Sequence, residues 1–327
     1  GPGAGPAGPV VTTAAPPRIE TAPPVRQRAR RPPLRWVRRG GLAPVLFLLP
    51  ALFVFGLFAW LPIGKSALMS FQRTNLVTAP EFVGLDNYRT VLTDPMFWTA
   101  VGNTGLFALL ALVIGYPVPL ALAVLMSEVR KARGLFSALA YLPVVIPPVV
   151  AVLLWKVFYD AGPDGLFNKI LGLAGIGPVP WLQSASTAMG SLVIEATWAA
   201  AGSTVIIYLA ALTSVPPELY EAAELDGAGI RGKVWHVTLP HLRGVLLTTF
   251  ILQIIGTTQV FLEPFLFTGG GPAHATTTIL LLIYNYAFAD SLGGDYGAAT
   301  ALSVLLAGTL AVFSAVFLRL TRSWSTS

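Results

Sequence analysis

The chain has 327 residues and no cysteine, which excludes disulfides and thiolate metal sites. Apolar side chains make up 54% of it and charged ones 11%, against about 25% charged in soluble domains, so an ordinary water-soluble domain is excluded and a membrane protein is indicated. The formal net charge of +6 would suit nucleic acid, but the basic residues sit beside apolar runs, which argues for a membrane surface and against nucleic-acid binding.

Residues 1–40 form a tail of Gly, Pro, Ala and Arg without apolar period, a composition that cannot bury enough surface to order itself. Its arginines Arg26, Arg28, Arg30, Arg31, Arg35, Arg38 and Arg39 adjoin the first apolar run, and such a cluster attracts anionic headgroups and sets orientation. Gly3, Gly5 and Gly8 spell GxGxxG, but no strand precedes them and prolines fill the segment, so a dinucleotide site is rejected. Residues 41–327 read as one all-α transmembrane domain.

Six apolar runs reach the ~20 residues that span a bilayer: 42–64, 98–126, 135–158, 187–213, 243–267 and 297–319. The first exceeds the ~7–15 residues of a signal-peptide core and no small-residue cleavage site follows it, so it reads as an uncleaved helix. Gly64-Lys65-Ser66 at its end lacks the first glycine of a phosphate-binding loop, because Ala59 stands there, and Lys65 reads as an interfacial lysine. Pro143, Pro147 and Pro148 predict a kink in the third run. Residues 279–289 are apolar but too short to span and read as a membrane-edge helix. Of the 21 Lys and Arg, only Lys65, Arg73, Arg89, Lys156 and Lys169 fall on the side opposite the tail. The positive-inside rule then gives six spans with both chain ends in the cytoplasm.

Polar residues inside apolar helices face a bundle interior or a cavity, because lipid cannot satisfy them. Glu195 and Trp198 share a stripe with Gly202 on the fourth run, and Gln253, Thr257, Gln259 and Glu263 form a polar arc on the fifth. Glu195, Trp198, Gln253, Thr257, Gln259 and Glu263 are therefore the candidate substrate path, and among them Trp198, Thr257 and Gln259 supply the aromatic face and polar groups that would suit a sugar. Helix–helix hydrogen bonding is the competing use, and a proton relay through Glu195 and Glu263, as in a secondary transporter, is another. No inverted repeat accompanies that last option. His236, His241 and His274 lack metal-ligand spacing, so no metal site is expected.

Between the fourth and fifth runs lies Glu221–Pro240, EAAELDGAGIRGKVWHVTLP. Pro216 and Pro217 suit a helix's first turn. Leu219, Ala222, Ala223 and Asp226 then share one face, and Asp226-Gly227 signals a turn. A second short helix from Ile230 is expected to end before Pro240. A loop of this length is long for a plain connector.

This segment resembles the cytoplasmic loop of permease subunits of binding-protein-dependent ABC importers. Glu221, Ala222, Ala223, Asp226, Gly227 and Ala228 match its first half, and Val237, Thr238, Leu239 and Pro240 its close. It departs at Val234, where an aromatic is common, with Trp235 beside it. Phe82-Val83-Gly84-Leu85-Asp86-Asn87-Tyr88, with Asp94 and Phe97, is similar to the outer segment of carbohydrate permeases. Gly269-Gly270-Gly271-Pro272, Thr276-Thr277-Thr278 and Tyr284 are similar to the segment before their last helix. The resemblance points to the maltose, trehalose or glycerol-3-phosphate type. It implies the six-helix fold of type I importers in a bacterial-type inner membrane, and a path shared with a second, different permease subunit. It also implies an extracytoplasmic sugar-binding protein and two ATPase subunits that hold the Mg-ATP. This chain would then carry no cofactor and catalyse nothing itself. Glu221, Ala222, Ala223, Asp226, Gly227, Leu239 and Pro240 would form the contact with the ATPase, with Glu221 making a charged contact. The absence of an intramembrane arginine cluster favours a neutral sugar over glycerol-3-phosphate.

Overall fold

A computed structural model describes residues 42–128, 133–289 and 294–322, together with Gly1, Gly3 and Gly5. Apart from those glycines, the basic tail expected over 1–40 lies outside the described residues, as do Arg130 and Lys131 of the first short loop. The chain divides into a unit ending at Ala59 and a second unit that begins at Trp60. In the first unit, α1 (Leu42–Phe55) is an apolar helix with Pro50 inside it, continued by a π turn from Gly56.

The second unit starts with α2 (Leu61–Met69) and a two-stranded hairpin, β1 (Gln72–Arg73) antiparallel to β2 (Glu81–Phe82). After α3 (Asp86–Thr93), the long span Pro95–Glu128 consists of α4 (Pro95–Leu110), a π turn and α5 (Pro117–Glu128). Next come α6 (Arg133–Val145), α7 (Pro148–Phe158) and the short α8 (Leu166–Leu173). The unbroken α9 (Ala185–Leu212) follows, with 28 residues, roughly 42 Å at 1.5 Å per residue. The segment between α9 and the next span holds α10 (Pro217–Leu225) and α11 (Ile230–Lys233). The chain ends with α12 (Leu239–Thr258), the short apolar α13 (Ile279–Phe288) and α14 (Tyr296–Arg322).

Among the described residues, five helices are long and apolar enough to cross a membrane, and α6 with α7 makes a sixth candidate span bent by 101°. Pro143, Pro147 and Pro148 therefore produce more than a kink. Pro147 stands at φ −55° and ψ 133°, the extended conformation that a following proline imposes, and Pro148 starts α7 afresh. The helices carry large apolar side chains outward, such as Leu109 at 58% exposure and Val113 at 64%. In water that surface would aggregate, whereas a bilayer covers it.

Three π turns precede prolines by two residues: Gly56–Trp60 before Pro62, Ala111–Gly115 before Pro117 and Val234–Thr238 before Pro240. In the last two, the residue just before the proline donates to the carbonyl five residues back, Tyr116 to Ala111 and Leu239 to Val234. A proline has no N–H and its ring clashes with the carbonyl four residues back. A wide turn shifts the ladder by one residue, so the helix passes the proline without ending. The expected stop before Pro240 is thus replaced by a continuous helix, Ile230–Thr258. The fifth run has the opposite fate. It breaks at Gln259–Phe261, so Glu263 belongs to a separate short helical segment running into the π turn Pro264–Thr268, and not to the fifth helix.

Candidate functional site

The fourth and fifth runs meet the second span around a cavity of about 510 Å³, in the range of small-molecule sites. α9 contributes Ala196, Thr197 and Ala200, whose small side chains leave the space, and α12 contributes Gln253, Gly256 and Thr257. Gln259 and Glu263 close one end. Phe107, Ala111, Gly115 and Tyr116 of the second span complete the wall. These last four escaped the sequence reading, which looked for polar groups in two helices. The signal available was Gly115-Tyr116-Pro117, a glycine and a proline inside a span. A Cβ on Gly115 would stand 2.9 Å from Thr197 Oγ1, so the glycine lets the second span approach α9.

Four of the six candidate path residues, Gln253, Thr257, Gln259 and Glu263, therefore line one cavity. The Thr257 hydroxyl donates to Gln253 O at 2.8 Å, and Gln259 Nε2 donates to Ile255 O at 3.1 Å. Tyr116 Oη donates to Leu246 O at 2.7 Å, and the Tyr208 and Thr249 hydroxyls lie 2.8 Å apart, fixing α12 against the second span and α9.

Glu195 and Trp198 fall outside that cavity. Glu195 is 2% exposed. Trp198 packs against Trp155, ring centroids 5.5 Å apart, at the edge of a cluster with Tyr159, Phe158, Phe167, Trp181 and Phe267. Gly202, which shares their stripe, is a helix crossing: a Cβ there would lie 2.1 Å from Ala140 O. The stripe on the fourth run thus faces packed protein.

The second site lies at the opposite end of the bundle, on α10 and α11. Pro217 opens α10, and Asp226 caps its end. Gly227, at φ +80°, donates to Glu224 O at 3.0 Å, and Ala228 donates to Ala223 O at 2.9 Å. This pair of bonds is the Schellman closure, which calls for a left-handed residue after the cap and hence glycine. No residue of α10 is buried. Leu219, Ala222 and Asp226 are exposed and Ala223 is half-buried. Leu225, Ile230 and Trp235 are 90%, 64% and 69% exposed, an apolar surface on an otherwise polar connector. Leu239 is half-buried and Pro240 exposed in the first turn of α12.

Glu221 is also exposed. The ion pair of this segment joins Glu224 Oε1 to Lys233 Nζ at 2.8 Å across the turn, a pairing nine residues apart that no helical period announces. The bond to Lys233 holds the Glu224 carboxyl below the usual carboxylate range, and the bond to Glu224 raises Lys233. Tyr220 and Thr238 add a hydroxyl contact at 3.1 Å. Together these bonds tie α10 onto the π turn that starts the fifth span.

The model of a family described as "Binding-protein-dependent transport system inner membrane component" matches residues 115–324, which include the α10–α11 segment and the cavity wall apart from Phe107 and Ala111. The trehalose/maltose transport system permease protein MalF of Thermococcus litoralis is 34% identical over 278 residues, 85% of this chain and 92% of that protein. The arabinooligosaccharides transport system permease protein AraP of Bacillus subtilis is 34% identical over 284 residues, 86% of this chain and 89% of that one. Among solved structures, a chain of a bacterial alginate ABC transporter, in complex with an alginate pentasaccharide-bound periplasmic protein, is similar with a TM-score of 0.77 at 25% identity. It covers 90% of this chain and 99% of its own.

Proposed function

We propose, from the premise that this chain belongs to the family of binding-protein-dependent transport system inner membrane components, that it is the permease subunit of an ATP-driven sugar importer. The observation that carries the reading is its match, along 85% and 86% of its length, to permeases named for trehalose/maltose and for arabinooligosaccharides.

In this reading the cavity is half of a path, and a second, different permease subunit supplies the other half. Gln253, Thr257, Gln259 and Glu263 present the polar atoms that take sugar hydroxyls. The α10–α11 end and both chain ends face the cytoplasm in this reading, which the basic residues flanking the spans support. There two ATPase subunits bind and hydrolyse Mg-ATP, and one of them receives the exposed face of α10 and α11. A sugar-binding protein delivers substrate at the opposite end. Because α11, the π turn and α12 form one helix, a pull on the α10–α11 turn reaches Gln253 and Thr257 without a joint at Pro240. ATP binding draws the coupling segments of the two permeases together and opens the path outward, and hydrolysis resets it.

The test is uptake by vesicles carrying the whole complex, with radiolabelled maltose, trehalose and an arabino-oligosaccharide as probes. Uptake is expected to require ATP inside and a binding protein outside, and to survive collapse of ion gradients. Uptake driven by an ion gradient without ATP would overturn the reading.

A further inference from the structure

Among the described residues, two buried side-chain atoms lack a hydrogen-bond partner: Trp155 Nε1 and Glu195 Oε2. Trp155 is 7% exposed and Glu195 2%. One is a donor and the other an acceptor, yet they do not serve each other. An unmet polar atom is costly in any protein interior and more so at membrane depth, where no water relieves it.

Their place in the fold suggests what meets them. Trp155 is the hub of the aromatic cluster, with centroids 5.4 Å from Tyr159, 5.6 Å from Phe167 and 5.5 Å from Trp198. Glu195 lies one turn before Trp198 on α9, next to the cavity-lining Ala196. The cluster separates two openings. Tyr159 and Phe267 line a cleft of about 510 Å³ at the hairpin end, together with Lys156 and Gln183. Phe107 and Val260, from the other side of the same cluster, line the intramembrane cavity. A barrier of aromatic rings holding one free N–H and one free carboxyl oxygen has the chemistry of a carbohydrate site. Rings cover the C–H faces of a sugar, and its hydroxyls both accept and donate.

We infer that Trp155 Nε1 and Glu195 Oε2 form a carbohydrate subsite within this barrier, closed in the present structure and filled by sugar hydroxyls when α7 and α9 part during transport. The inference rests on the sugar-permease reading and adds a place along the path that the open cavity does not include.

The competing account is that the two atoms are a tolerated cost of packing. Apolar replacements of the same size separate the two, since removing an unmet polar atom is neutral or stabilising for folding. The complete importer carrying Trp155→Phe, Glu195→Met or Glu195→Gln is reconstituted in vesicles, and uptake of the three radiolabelled saccharides is measured per ATP hydrolysed. Trp155→Phe and Glu195→Met should leave the Tm of the complex equal or higher while lowering sugar moved per ATP roughly three- to tenfold, the worth of one hydrogen bond. Glu195→Gln, which keeps an acceptor, should stay within about twofold of wild type. Unchanged uptake per ATP in both apolar variants would overturn the subsite. So would loss of assembly in both while Glu195→Gln transports normally, because the role would then be structural. If wild type moves none of the three saccharides while still hydrolysing ATP in response to a binding protein, the sugar reading falls and takes the subsite with it.

Discussion

The hairpin end and the α10–α11 end both carry recognisable sequence motifs, and they use them in opposite directions. At the hairpin end the polar motif residues Asn87, Thr276, Thr277 and Thr278 point inward, while Phe82 and Leu85 of the same end stay exposed. Asn87 Nδ2 donates to Ser70 O and Gln72 O, each at 2.9 Å. Asn103 Nδ2 donates to His274 O and Thr277 O across more than 170 residues of chain. Thr278 Oγ1 donates to Val260 O, and Tyr286 to Asp94. Thr276, Thr277 and Thr278 are buried, so the conspicuous segments are joints between distant pieces of chain. On α10 no residue is buried, the bonds are local, and the apolar side chains face out. Polar motif residues turned inward build the fold. Apolar motif residues turned outward leave surface for a partner to cover.

If that contrast is right, damage at the hairpin end should cost folding, and damage on α10–α11 should cost assembly alone. The largest effect is expected for Gly297→Ala. A Cβ there would lie 2.3 Å from Gln72 O and 2.8 Å from Asn87 Nδ2, where neither the β1 backbone nor the buried amide has room to give. A loss of about 1–3 kcal/mol is expected, read as a lower Tm of the detergent-solubilised complex. A Tm unchanged within about 1 °C would break the comparison at its stronger side.

Gly227→Val comes next. The surroundings of Gly227 are open, so the penalty is the backbone's own: about 1–2 kcal/mol for a left-handed residue, and more for a β-branched one. The spans should insert normally and the permease Tm should hold, while co-purification of the ATPase and its substrate-stimulated hydrolysis are lost. Full ATPase stoichiometry with normal stimulation would show that the exposed face docks nothing.

Glu224→Gln should do least. The pair joins an exposed Glu224 to a half-buried Lys233, and salt reaches it from the Glu224 side. Glu224 is held low, so its stabilisation is present above the ordinary carboxylate range and lost as pH falls through its lowered value. Lys233 is held high, so its share is present below the ordinary amine range and lost as pH rises through its raised value. Between about pH 6 and 8 the pair should contribute evenly. ATPase retention in the variant should fall less than about twofold at low salt and match wild type at high salt. A larger, salt-insensitive loss would mean that the turn depends on this pair and not on its Schellman closure.

Much of this molecule was legible in the residues because the governing forces are local. A bilayer demands length and apolarity of each span separately, so the apolar runs emerge as helices within a few residues of their expected limits, the bent pair and the broken fifth run excepted. The turn at Asp226-Gly227 was legible for the same reason, since a left-handed residue after a cap is a one-residue requirement that glycine meets. Even the failure at Pro240 is local. The proline does remove a hydrogen bond, but the helix has a second answer, the π turn, which a rule about proline alone does not contain.

What a stripe faces is a different kind of fact. Glu195, Trp198 and Gly202 share a face by spacing, and Gln253 and Thr257 share another, and nothing in either spacing says which looks into open space. Ala140 O behind Gly202 and Trp155 behind Trp198 decide it for α9, while Gly115 and Tyr116 of the second span open the room beside α12. Helical periodicity thus determined which residues stand together along each span. Only the packing of one span on another, through contacts far apart in sequence, decided which of them meet a cavity, which meet a backbone carbonyl, and which two polar atoms were left without a partner.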